Sequence, residues 1–204
     1  MLEKLQITRA EGTELEFQRR FEAPRELVWA AFSDAAHLAR WWGPAGCTAD
    51  PCTVDFRPGG VWHYCLRFGE GQEAWGRAVY QEIDPIERFV YVETRSDSAA
   101  TAIPPRMVVE MNFSDEAGAT LLHSRGTFDT PEDLQTMLSM GVVEGTEGTF
   151  ARLDELLESW KVRASNGSSG RPRRDTEAPV QRWQRWRPTP LAQSRTPFAD
   201  WGRR

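Results

Sequence analysis

The chain has 204 residues, of which 27% are charged and 40% hydrophobic, with three cysteines and a formal net charge of −5. Residues 1–160 hold 14 Lys+Arg against 27 Asp+Glu, a net of −13, whereas residues 161–204 hold 11 against 3, a net of +8. The acidic body argues against a nucleic-acid platform, no run approaches the roughly 20 apolar residues of a membrane span, and an odd cysteine count without an apolar leader suggests free thiols in a cytoplasmic protein.

Along the chain, Leu15, Phe17, Arg19 and Phe21 alternate with polar neighbours in TELEFQRRF, which predicts a half-buried strand. Pro24 opens a short helix whose Leu27, Val28, Ala31 and Phe32 share one face. Ser33-Asp34 breaks it and caps a second, which ends in Trp41-Trp42 and is stopped by Gly43-Pro44. Helices this small cannot bury so much aromatic surface against each other, so they are expected to close one end of a curved sheet. From Cys47 to Phe128 the period is two. Turn signals at Pro58-Gly59-Gly60, Gly69-Glu70-Gly71, Asp84-Pro85, the stretch Arg95 to Pro105, and SDEAG divide it into six strands of an antiparallel meander.

Thr130-Pro131-Glu132-Asp133 has the form of a helix start: a capping Thr, Pro at the first position and two acids in the first turn. The helix is expected to reach Lys161 with an apolar stripe of Phe150, Leu153, Leu156, Leu157 and Trp160. Gly141, Gly145 and Gly148 interrupt it at about 1 kcal/mol each relative to alanine. Either its first half is a separate short helix, or the sheet approaches its backbone closely. Residues 162–204 show no periodicity. A linker, ASNGSSG, leads into an Arg-, Pro- and Trp-rich segment, so residues 1–161 are expected to form one domain and 162–204 a basic, disordered tail suited to an acidic partner.

Several words of the sequence resemble the activator-of-heat-shock-protein-90-ATPase-like family of the START-like (SRPBCC) helix-grip superfamily. They are Ala23-Pro24 with Val28-Trp29, Leu38 with Trp41-Trp42-Gly43-Pro44, Arg57-Pro58-Gly59-Gly60, Glu82-Ile83-Asp84-Pro85, Gly118-Ala119-Thr120, and Gly141 followed by Gly145 and Arg152-Leu153. The resemblance spans about residues 14–160. It implies an α+β helix-grip fold, with a curved seven-stranded antiparallel sheet, two small helices and a long C-terminal helix around an apolar cavity. It also implies a hydrophobic small molecule as ligand. Ala119 stands where the family prefers glycine, which implies a slightly weaker turn.

The residues expected to line that pocket are Trp42, Trp62, Tyr64, Trp75, Met107, Met111, Met137 and Met140, because Met and aromatic side chains adapt to apolar ligands. Tyr64, Tyr80, Glu110 and Arg77 are candidate polar anchors. No catalytic residue is assigned: His37, His63 and His123 lack any nucleophile or triad wording around them. No metal or cofactor is expected either. Cys47, Cys52, His63 and Cys65 crowd one hairpin, but the cysteine parity sets them apart and the usual CxxC pairs are missing. The leading expectation is therefore a cytoplasmic ligand-binding protein, monomer or homodimer. A cavity enzyme of cyclase or hydrolase type and a chaperone-type regulator stay open as alternatives.

Overall fold

The computed structural model describes residues 5–166. Strands β1 (Gln6–Glu11) and β2 (Glu14–Phe21) form a hairpin, followed by helices α1 (Arg25–Ser33) and α2 (Ala35–Trp41). Strands β3 (Thr48–Val54), β4 (Val61–Arg67), β5 (Glu73–Asp84), β6 (Arg88–Ser96), β7 (Ala102–Glu116) and β8 (Ala119–Phe128) then run as a meander. Helices α3 (Pro131–Ser139) and α4 (Val142–Asn166) complete the order. The strands form one antiparallel sheet in the order β1-β2-β8-β7-β6-β5-β4-β3.

The sheet has eight strands, where the family resemblance implies seven. The extra one, β1, is exposed at every position and so carries no period-two apolar signature. Backbone pairing to β2 through the turn at Gly12 defines it. At the other end of the chain, the interrupted helix is two helices. Gly141 sits at φ 79°, a left-handed conformation that glycine adopts at no steric cost, and separates α3 from α4. Helix α4 continues past Lys161 to Asn166. The rest of the basic tail lies outside the described residues.

Local signals position the elements. Asp34 caps α2 by accepting from Ala36 N at 2.8 Å, and Thr130 caps α3 by accepting from Asp133 N at 3.1 Å. In the β7–β8 hairpin the left-handed residues are Ala117 and Gly118, so Ala119 belongs to the strand and the strain falls two residues earlier than the resemblance implied.

The core includes an aromatic cluster and a smaller apolar cluster of Leu15, Phe128 and Leu134. Trp29, fully buried, meets Phe56, Phe89 and Phe113 edge-on at centroid distances of 5.4–5.7 Å. Phe32 and Trp41 extend this cluster, and the Trp41 indole donates to Ala31 O at 3.0 Å. Each such side chain contributes about 1.5–3 kcal/mol through burial, and edge-to-face pairing adds to that. Helix α4 crosses the sheet with Phe150, Leu153, Leu156 and Leu157 inward, and a buried ion pair joins its Asp154 to Arg19 of β2. Between the sheet, α3 and the first turns of α4 a space stays unfilled.

Candidate functional site

The turn after α2 builds one wall of the unfilled space. Trp42 closes the helix by donating its backbone N–H to Leu38 O at 2.8 Å. Gly43 follows at φ 93°, where an added Cβ would stand 2.5 Å from Cys47 Sγ and 2.8 Å from a Leu66 methyl. Arg152 of α4 clasps this turn. Its guanidinium donates to Gly43 O at 2.9 Å and Arg40 O at 3.0 Å, with Pro44 O and Trp42 O at 3.3 and 3.4 Å. Carbonyls at a helix C-terminus lack intrahelical partners, and a cation suits them. Arg152 thereby fixes the Trp42 side chain against the sheet.

The opposite wall is the sheet itself. Tyr64 and Leu66 of β4, Gly76 of β5, and Tyr91 and Glu93 of β6 bound a hollow of about 360 Å³. Met107, Val109 and Met111 of β7 and Ser124, Gly126 and Phe128 of β8 continue the lining, and Thr146, Thr149 and Phe150 of α4 roof it. That volume falls within the usual range for a small-molecule pocket. Glycine sets its shape where β4 and β5 meet. Gly76 faces Tyr64 across the strands, and an added Cβ would stand 2.3 Å from Tyr64 Cζ. The Tyr64 ring therefore lies flat over the Gly76 backbone. Gly76→Ala should push the ring off and cost about 1–3 kcal/mol by overpacking; a melting temperature within 1 °C or so of wild type would contradict this.

Seven of the eight residues singled out from the sequence line the hollow, and Trp62 does not. Trp62 is 3% exposed and stands behind the wall, 4.5 Å from the Trp42 ring and 4.9 Å from Tyr64, so it supports the lining without forming it. Met107 and Met137 pack on the small cluster of Leu15, Phe128 and Leu134. Met140, at the end of α3, is 65% exposed and belongs to the rim. Trp75 has the parity opposite to the buried Gly76, Ala78 and Tyr80, and it stacks on His63 at 5.1 Å while reaching the lining at its edge.

Of the four anchors considered from sequence, only Tyr64 is in the lining. Tyr80 is buried against Phe56, Glu110 accepts from Arg88 Nε at 2.8 Å, and Arg77 shares the parity of Trp75. Glu93 is the polar residue that sequence reasoning missed. Its signal was its parity: in FVYVET it falls on the same face as Phe89 and Tyr91, which point inward. The Tyr64 hydroxyl donates to Glu93 Oε1 at 2.8 Å. The Trp42 indole N–H is buried beside the same phenol without a hydrogen-bond partner.

Burial pushes the Glu93 carboxyl above its ordinary value, and the Tyr64 hydrogen bond opposes this. Burial, together with the Glu93 charge, holds the Tyr64 and Tyr91 phenols well above theirs. An acid raised in the folded state favours folding below its unfolded pKa, and that contribution is lost as pH rises through the folded value. Glu93→Gln should therefore match wild type near pH 4 and become the more stable of the two as pH rises above 4.5. Urea unfolding at pH 4 and pH 8 checks it, and a gap that shrinks with pH would refute it.

The other chemistry-bearing residues are occupied elsewhere. His37 bonds Ala30 O at 3.0 Å and meets Trp160 edge-on, His63 bonds Asp97 O at 3.1 Å, and His123 lies 3.5 Å from Glu16. Among the described residues no three His, Cys, Asp or Glu side chains gather as a metal site. A register shift between Ala49 and Cys52 puts Cys52 opposite Tyr64 on the inner face, whereas Cys65 pairs with Trp75 on the outer. An open cleft of about 480 Å³ at Arg25, Glu87 and Arg88 is lined by charges that largely pair with one another.

Comparison with known proteins agrees with this architecture. The family model described as activator of Hsp90 ATPase homolog 1-like protein matches residues 22–158. The chain belongs to this family. Its fold is similar to protein Ms6760 from Mycobacterium smegmatis, at a TM-score of 0.67 and 26% identity, over 77% of this chain and 97% of that one. A protein from Rhodobacter sphaeroides (TM-score 0.70, 23% identity, 77% and 99% covered) and the AHSA1 protein from Silicibacter pomeroyi (0.59, 24%, 71% and 97%) share the fold. No curated protein matches the chain. No helix among the described residues is long and apolar enough to cross a membrane.

Proposed function

We propose that this member of the activator of Hsp90 ATPase homolog 1-like family binds a hydrophobic small molecule in the hollow between its sheet and α4. The observation that carries the reading is the lining: Met107, Val109, Met111, Phe128 and Phe150 surround about 360 Å³ of unfilled space beside the aromatic core. Filling that space with apolar ligand surface is favourable by about 25 cal/mol per Å² buried.

Gly145 provides the test. It lines the hollow within α4, and a Cβ added there meets nothing within 4 Å. Gly145→Leu should occupy the space without strain and gain up to about 1 kcal/mol of helix propensity. Wild type is expected to bind N-phenyl-1-naphthylamine with a rise in its fluorescence. Gly145→Leu should bind it at least tenfold more weakly while melting no lower. Equal binding by the two proteins, or none by wild type, would overturn the reading.

A second reading, a cavity enzyme, is favoured by one observation: Tyr64 and Glu93 are two titratable groups in hydrogen-bond contact within the hollow. Glu93, with its raised pKa, could serve as a base, while Tyr64 is held as a hydrogen-bond donor. Native mass spectrometry of protein from cell extract separates the two. A retained mass that stays constant on incubation supports binding, and its conversion to a second mass supports catalysis.

A further inference from the structure

Glu93 is the one carboxyl in the lining, and its hydrogen bonding is incomplete. Oε1 accepts from Tyr64, and Glu93 makes no other hydrogen bond among the described residues, so its half-buried Oε2 stays open to the hollow. A carboxylate can accept about four hydrogen bonds, and burial with only one made is unfavourable unless a further partner arrives. Among the described residues no second donor reaches it: the Trp42 indole N–H and the Thr94 hydroxyl, both in the lining, have no hydrogen-bond partner. Tyr64, Tyr80 and Tyr91 interact with Glu93 from their strands as neutral groups, each with its acid pKa raised by burial. Arg95 lies on the same strand and is exposed, with its Nε donated to Pro104 O at 3.2 Å. The hydroxyls of Thr146 and Thr149 above the hollow are donated within α4, to Val142 O and Gly145 O.

We propose that Glu93 is the ligand's polar anchor, and that the hollow selects apolar molecules carrying a hydrogen-bond-donating head group, a protonated amine most strongly. This rests on the binding reading above and names the ligand class for that same site. A cationic donor would give Oε2 a partner and neutralise the half-buried charge at once. The acidic body, net −13 over residues 1–160, draws cations toward the protein. Because Glu93 is ionised only above its raised pKa, the amine preference should appear as pH rises through that value.

The experiment compares two probes of nearly the same shape, 1-naphthylmethylamine and 1-ethylnaphthalene, by calorimetric titration of the full chain at pH 7.5. The expected result is that the amine binds roughly 10–100-fold more tightly. Glu93→Gln, which keeps an acceptor for Tyr64, should remove most of that ratio and leave 1-ethylnaphthalene within about twofold of wild type. Tyr64→Phe takes away the one protein donor and should widen the ratio. Equal binding of the two probes by wild type overturns the donor preference and leaves the cavity reading standing. A ratio unchanged in Glu93→Gln overturns the role of Glu93. If neither probe binds, the cavity reading fails, and this inference with it.

Discussion

Arg19→Met is expected to cost about 3–5 kcal/mol, because it leaves the Asp154 carboxylate inside the protein without its cation. Arg19 is 4% exposed and Asp154 11%, so neither partner can turn to solvent when the other is removed. The pair is poorly compensated even in wild type. Burial raises the Asp154 pKa although Arg19 pulls it down, and Arg19 Nε has no hydrogen-bond partner. Without Arg19 the carboxyl should rise further. Its contribution then favours folding at acid pH and is lost as pH increases from the ordinary value of 3.8 through the raised one. The penalty should therefore be small near pH 4 and full at pH 8. Arg19→Met/Asp154→Leu should recover most of it, since an apolar pair replaces a buried ion pair at little cost. Urea unfolding of the single and double variants checks both expectations, and a single-variant penalty below about 1 kcal/mol at pH 8 would contradict them.

Trp62→Ala should cost as much, about 3–5 kcal/mol, by opening a cavity in a packed aromatic stack. Trp62 lies between the Trp42, Tyr64 and Tyr91 rings at 4.5, 4.9 and 6.3 Å. At this chain length the loss corresponds to a fall in melting temperature of roughly 10 °C, readable by calorimetry. The sequence alone placed Trp62 in the pocket lining, where its loss would weaken binding more than it destabilises. Placing Trp62 behind the wall reverses the emphasis, and a Trp62→Ala protein melting near wild type would restore it.

These two residues show where sequence reasoning was strong and where it stopped. Arg19 was legible as an inward arginine, because Leu15, Phe17 and Phe21 share its parity. Its partner was not, because Asp154 sits 135 positions away on a helix face that its own neighbours do not mark as charged-inward. The Trp41-Trp42-Gly43-Pro44 turn was legible as a helix stop. The Arg152 clasp that holds it was not, since the acceptors are backbone carbonyls, which every residue possesses. β1 was invisible for the opposite reason: a strand with no buried face has no period to detect. In AWGRAVYQEI both parities hold apolar residues, so the face of Trp75 could be read only once Gly76 was located against Tyr64.

The candidate site follows the same logic. Met and aromatic residues pointed to seven positions of the lining, because apolar patterning is what a sequence displays best. Glu93 departs from that pattern, since a charged residue in a strand defaults to the solvent face. Its neighbours Phe89 and Tyr91 were the only local sign that it points inward. Tyr64 ties the two together, lying over Gly76 and donating to Glu93.

Methionine methyl groups report on the hollow directly. Four of the five methionines, Met107, Met111, Met137 and Met140, belong to its lining. With 13C-methyl-methionine protein titrated with N-phenyl-1-naphthylamine, the resonances of Met107, Met111 and Met137 should shift together and saturate with a single dissociation constant. Saturation of the probe with Met107 and Met111 unmoved would mean that the guest sits elsewhere, and that the space between sheet and helix is not a binding site.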